Sequence, residues 1–246
     1  AQLVAGNRRY ALGKGNFTNR KDEQLLTQLT EGGQNPISVV LGCADSRAPI
    51  EVMFDLRPGD LFVLRNAGNT CSARSGSLIG SAEYAIASLG TQLVVVTGHT
   101  KCGAVTAAVQ TVLKGEHLES YPGSIEKVLQ NIVGVAKEAV KQLPYAPMEE
   151  QVALATKLNV QCAMERLIGY SEIVRSKIAD GTLQVHGAIY DIFKGEIEWM
   201  GEAPRQAELI DASLPLQQWK REPYMRGSFQ MNQTNSPSTL RSVFGR

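Results

Sequence analysis

The chain has 246 residues, 43% hydrophobic and 20% charged, with a formal net charge of +1. That is enough apolar sequence for one large domain or two small ones with a sizeable core, and it excludes disorder over most of the length. The near-neutral balance gives no reason to expect nucleic acid or an acidic membrane surface as partner, and no apolar run approaches the ~18 residues a spanning helix needs.

Residues 1–31 read as helical with a break near GKGNF, and EQLLTQLTEGG stops on a glycine pair. The opening AQLVAGNRRYALGKGNF is not a secretory signal and carries no initiator Met, so a processed chain or part of a longer one is expected. The expected location is soluble: cytoplasmic, or an organelle interior after loss of a targeting peptide. The sequons at Asn16 and Asn232 read as chance matches.

ISVVLG (37–42) is a short β-branched run that fits a strand buried on both faces of a parallel sheet. DLFVLRN (60–66), TQLVVVTG (91–98) and LQVHGAIYDI (183–192) repeat the pattern. GEIEWM (195–200) follows a tight FKG turn and alternates apolar with acidic, which predicts an antiparallel edge strand. Helices are predicted over 77–89, 103–114, 124–143 and 148–170, with another in SEIVRSKIADG. The 124–143 segment has an apolar face wider than one sheet contact needs. Alternating strands and helices predict an α/β domain: a parallel central sheet with an antiparallel edge strand, flanked by helices. After Pro204 the chain changes character. RQAELIDASL reads as a last helix, and MNQTNSPSTLRSVFGR as loose, so 203–246 reads as a partly disordered C-terminal extension.

Four cysteines stand at 43, 71, 102 and 162. A chain this long and core-rich needs no disulfide scaffold, so they read as ligands, nucleophiles or buried small side chains. No C-x-x-C occurs, which makes a redox role the weakest reading. Cys71 and Cys162 have no spaced partner and read as packing. His117, in the polar GEHLESYPG, reads as solvated, and His186, in a strand, as a core histidine.

In open α/β sheets, ligands bind outside the carboxyl ends of the strands. Two such ends are chemically loaded: CADSR (43–47) after the first strand and HTKCG (99–103) after the third. Cys43, His99 and Cys102 make a soft-to-borderline ligand set suited to tetrahedral Zn2+, and Cys102 opens a helix whose N-terminus favours a thiolate. Three ligands leave a fourth position for water. Asp45 could fill it or hold a bound water, and Arg47 could pair with Asp45 and keep it ionised. The bland alternative is buried thiols, a core histidine and a surface ion pair at a helix cap.

Together these stretches resemble the β-class carbonic anhydrases. CADSR, FVLRNAGN (62–69), SAEYAI (81–86) and GHTKCGAV (98–105) stand in the family's order, and HGAIYDIFKGEIEW (186–199) is similar to its closing strand pair. The resemblance covers roughly 1–202 and implies a catalytic domain there, with 1–31 as an N-terminal helical arm. It implies reversible hydration of CO2 to bicarbonate and a proton by attack of a zinc-held hydroxide. Cys43, His99 and Cys102 would be the zinc ligands, Asp45 and Arg47 the catalytic dyad, and the Gly103 N–H a contact for the developing oxyanion. Asp45 would bind zinc only in a closed form. The implied partners are CO2 or bicarbonate and further copies of the chain, as a homodimer or tetramer with the site near the interface. Relatives that hydrolyse carbon disulfide or carbonyl sulfide use the same ligands, which makes that the alternative activity.

Two departures stand out. Where some members carry a substrate-facing glutamine before the Pro-Gly turn, this chain has Leu56 and Arg57. Members that switch off through the aspartate carry a tryptophan three residues before the first cysteine; here it is Val40, although Arg65 and Tyr190 match their other two positions. The incomplete set argues against that switch.

Overall fold

The computed structural model describes residues 1–16, 22–72 and 76–211. Five strands, β1 (Ser38–Cys43), β2 (Leu61–Asn66), β3 (Leu93–His99), β4 (Gln184–Tyr190) and β5 (Ile197–Gly201), form one sheet in the order β2-β1-β3-β4-β5. The first four are mutually parallel, and β5 pairs antiparallel with β4, as the alternating pattern of GEIEWM predicts.

The apolar runs are continuous because both sheet faces are covered. Successive residues still point to opposite sides. Val39, Leu41, Val94 and Val96 pack with α4 (Ser77–Ala87), α8 (Met148–Tyr170) and α9 (Glu172–Ala179). Val40 and Val95 face the other way, into a cluster with Leu3 of α1 (Gln2–Ala11) and Ile50 and Met53 of α3 (Ile50–Met53). Helix α8 comes very close to the sheet. A Cβ on Gly187 would lie 2.9 Å from Met164 and Val160, and one on Gly98 would lie 2.8 Å from Val160.

The N-terminal arm divides into α1 and α2 (Glu23–Gly32), as its glycine-rich break predicts. Asn7 stitches α1 to the body: Nδ2 donates to the carbonyls of Met53 and Gly195, and Oδ1 accepts from Ile197 N. The stretch 124–143 differs from the single helix expected. It forms α6 (Ile125–Gln130) and α7 (Val133–Gln142). Asn131 Nδ2 takes the Lys127 carbonyl, and the Asn131 and Ile132 amides donate three residues back, so the α-helical ladder is interrupted there. The wide apolar face is spent on other helices. Val135, Ala136 and Ala139 pack with α5 (Gly103–Lys114) and α8 rather than on the sheet. The four-residue α3 and a 3-10 turn at Leu118–Ser120 were not expected from the sequence.

RQAELIDASL does begin a helix, α10 (Gln206–Ile210), while 212–246, including the MNQTNSPSTLRSVFGR stretch, lies outside the described residues. Among the described residues no helix is long and apolar enough to cross a membrane.

Where α10 meets α8, Glu165 is 1% exposed and neither carboxylate oxygen makes a hydrogen bond. Its nearest cation, Arg205, stands 3.9 Å away and is engaged by Glu208 at 2.6 Å. Burial pushes the Glu165 carboxyl up to about 7, Arg205 opposing and Glu208 adding to the rise. A raised acid stays protonated in the folded chain where the unfolded chain has already lost its proton. Stability attributable to Glu165 therefore falls as pH climbs from the ordinary carboxyl value towards about 7, and the loss is complete above that. Glu165→Gln is expected to raise Tm near about pH 8 by several degrees, change it little near about pH 4, and flatten the slope between. Thermal denaturation across that range checks it; an unchanged slope in the variant would remove Glu165 as its source.

Candidate metal centre

The parallel sheet brings the loaded strand ends together. Cys43 closes β1, His99 closes the neighbouring β3, and Cys102 is the N-cap of α5. All three are buried, and their ligand atoms lie within 4.8 Å of one another, which is the spacing that lets one ion reach all three. His117 and His186 stand apart, as expected. His117 is exposed before the 3-10 turn, and His186 is buried in β4 with Nε2 3.2 Å from Gln184 Oε1. Cys71 and Cys162 are buried and form no disulfide, and burial pushes the Cys71 thiol up to about 12.

The donor set fits a metal on its own chemistry. His99 Nδ1 is 2.9 Å from the Thr100 carbonyl. That oxygen only accepts, so Nδ1 carries the proton and Nε2 keeps its lone pair. Nε2 is buried and makes no hydrogen bond; Asp45 Oδ2 lies 3.9 Å from it. A buried acceptor left without a partner is costly, and here it faces two sulfurs.

The thiols are linked. Cys43 is drawn well below the ordinary thiol value, first by its neighbour Cys102, against burial, with help from His99 and the Asp45 and Gly68 amides. Those amides donate to Cys43 Sγ at 3.4 and 3.3 Å. Cys102 is pushed up as the donor of that pair and by burial, although the Ala104 and Val105 amides of the helix N-terminus pull the other way. The helix end thus favours the Cys102 thiolate as expected, but its neighbour outweighs it. A dication would remove the conflict and let both thiols ionise. Burial lowers the His99 pKa, but the adjacent Cys43, the Thr100 carbonyl and Asp45 raise it on balance.

Asp45 and Arg47 lie in the turn after β1. Arg47 grips Asp45 with its own amide at 3.0 Å and with Nε and Nη2 at 2.9 and 2.7 Å, and Nη2 reaches the Lys101 carbonyl at 3.0 Å. Arg47 holds the Asp45 carboxyl well below the usual range, against partial burial. Asp45 stands outside the three-residue ligand group. Gly103 is the first residue of α5, and a Cβ there would meet only open space. Arg57 is exposed, and its amide donates to Asp60 in the Pro-Gly turn; Leu56 packs beneath the sheet. Val40 is buried in β1, and Tyr190 pairs its hydroxyl with Tyr10 at 3.1 Å.

Sequence reasoning assigned no part in building this site to Arg65. It reaches from β2 to the carbonyls of Cys43 (2.9 Å), Asp45 (2.8 Å) and Ala48 (3.2 Å) and so pins the loop that carries Cys43 and Asp45. In the sequence, Arg65 stood out only as part of FVLRNAGN and as a match to a position in some relatives.

Residues 38–197 match the family model described as carbonic anhydrase. Carbonic anhydrase 2 of Mycobacterium tuberculosis is 30% identical over 197 residues, covering 78% of this chain and 87% of that protein. The carbonic anhydrase of Mycolicibacterium smegmatis is 32% identical, covering 80% and 89%. Among solved structures, a β-carbonic anhydrase of Aspergillus fumigatus superposes with a TM-score of 0.68 at 29% identity, over 85% of this chain and 93% of that one. Tetrameric β-carbonic anhydrases of Sordaria macrospora reach 0.65 at 28% identity, over 80% and 94%.

A planar fork that spans three carbonyls cannot be replaced by a neutral chain. Arg65→Met is therefore expected to free the 43–48 loop, with amide exchange at Ala48 at least about tenfold faster, since such charge-assisted bonds are worth about 1.5–3 kcal/mol each. Hydrogen exchange read by mass spectrometry checks this; native protection in the variant would show the loop held by other means.

Proposed function

This chain belongs to the β-class carbonic anhydrase family and is an enzyme of CO2 hydration; from that premise we propose that it works with zinc held by Cys43, His99 and Cys102, with Asp45 and Arg47 as its reacting dyad. The observation that carries the reading is the buried His99 Nε2, without a hydrogen bond and facing two cysteine sulfurs. When bound there, zinc supplies the Lewis acidity that makes water a competent nucleophile near neutral pH.

The chain's own residues do the rest. The Thr100 carbonyl keeps the His99 proton on Nδ1. Asp45 accepts a hydrogen bond from the attacking water and aims its lone pair at the CO2 carbon. It is not the final proton store, because Arg47 keeps it ionised, so the proton released with bicarbonate passes to buffer. Arg47 acts through Asp45 as a positioning residue, tying it to the Lys101 carbonyl and off the metal ligands. The Gly103 N–H, at the N-terminal end of α5, meets the charge that develops on the substrate oxygen. In this reading Asp45 joins the ligands only in a closed form, and its grip by Arg47 supports an open one. The catalytic unit is taken as 1–202, because Asn7 binds the N-terminal arm to the β4–β5 hairpin. Assembly as a homodimer or tetramer follows the tetrameric Sordaria relatives.

Two variants test the reading. Asp45→Asn keeps the shape and loses the charge. It is expected to retain stoichiometric zinc and lose about 100-fold or more in kcat by stopped-flow CO2 hydration, the range for a lost positioned acid–base partner; full activity with full zinc would remove Asp45 from the reaction. Cys102→Ser replaces a thiolate by a poor ligand and is expected to copurify with little or no zinc by elemental analysis. One zinc per chain in that variant would show Cys102 is not a ligand.

A further inference from the structure

Helix α8 is buried on nearly every side, and at its middle stands an amide, Asn159, only 2% exposed. Asparagine is a mediocre helix former, and an apolar side chain would suit such a position better. Its Nδ2 donates at 2.8 Å to the carbonyl of Gly68, a residue 91 positions away in the β2–α4 loop. The amide of the same Gly68 donates at 3.3 Å to Cys43 Sγ. Gly68 also has φ +77, and a Cβ on it would lie 2.6 Å from Ile132 Cδ1 and 3.3 Å from Ala104 Cβ. Only glycine fits there, and glycine has no side chain to hold its own peptides in place. Their orientation is set by what grips them from outside.

We propose that Asn159 is a positioning residue for the metal centre: by holding the Gly68 carbonyl, it keeps the Gly68 N–H aimed at the Cys43 sulfur. This rests on the zinc reading above and adds to it a support from a helix that supplies no ligand. The N–H on the sulfur spreads the thiolate's charge and fixes the direction of its lone pairs, two properties that decide how well a thiolate holds a metal. Without the Asn159 donor, the Gly68 carbonyl is left buried and unpaired. The peptide that follows Gly68, then held only by the Asn69 amide on the Asn66 carbonyl, shifts. Because φ and ψ at a glycine resist little, the preceding peptide, which carries the Gly68 N–H, shifts with it and the N–H leaves the sulfur.

The test uses the zinc-loaded full chain beside Asn159→Leu, which keeps the bulk and removes the donor, and Asn159→Asp, which keeps the shape and carries the test should the leucine variant not fold. Zinc affinity is read by chelator competition, and the thiolate-to-metal charge-transfer band is read after cobalt substitution. Both variants are expected to bind zinc about 10–100-fold more weakly, the usual cost of losing an outer-shell partner, and to shift the cobalt band. A purely packing role would lower Tm but leave the affinity of the folded protein and the band where they are, and that result overturns the inference. An unaltered chain that takes up no zinc would overturn the zinc reading and this inference together; an unaltered chain that binds zinc beside variants of equal affinity overturns the role of Asn159 alone.

Discussion

Parallel pairing of β1 with β3 sets Cys43 beside His99, and the rest of the site is arranged around that neighbourhood. The register Val39↔Val94, Val40↔Val95 and Leu41↔Val96 runs both strands to the same edge of the sheet. Inside the sheet, every residue of these strands is held between helices on two faces. Only past the last ladder bonds can a thiol, an imidazole and a carboxylate turn towards one another. The register requires both faces to be covered, which is why α8 lies against Gly98 and Gly187 and why α1 and α3 close the other side.

The charges at the site are held by the backbone as much as by each other. Cys43 is gripped at both ends: its carbonyl accepts from Arg65 Nε, and its sulfur accepts from two amides. Asp45 is gripped likewise, with its carbonyl on Arg65 and its carboxylate on Arg47. Two arginines thus divide the work. Arg65 holds the loop, and Arg47 holds the acid that the loop presents. This bears on the aspartate switch that the sequence pattern argues against. Of the three positions associated with it, Val40 is apolar, Arg65 spends Nε and Nη2 on loop carbonyls, and the Tyr190 hydroxyl meets Tyr10. The local structure uses these residues to stiffen the site.

Buried polar groups elsewhere mark where the fold tolerates cost. Asn7 makes three bonds, one tying the arm to Met53 of α3 and two tying it to the β4–β5 hairpin. Glu165 is the opposite case, a carboxyl without a hydrogen bond between α8 and α10. The first rigidifies the unit that carries the site, and the second makes the C-terminal helix contact sensitive to proton activity.

The strand order along the chain, the antiparallel edge and the three candidate ligands were legible because each is a local signal: a β-branched run, an alternation, a reactive residue at or just past a strand end. The single helix read over 124–143 failed because its wide apolar face hid what Asn131 does to the ladder at one turn. Gly68 and Asn159 were not legible as parts of the site, and Arg65 was legible only as a match to a position in some relatives, not as the residue that pins the loop. Asn159 reads as a weak helix residue among apolar ones. By itself, then, the sequence determined the fold class and the chemistry of the metal-binding set, because periodicity and ligand type are properties of neighbouring residues. The tertiary structure alone decided which amides face the sulfur, which arginine holds which carbonyl and how near the two thiols and the imidazole come, because those depend on distances between residues far apart in the chain.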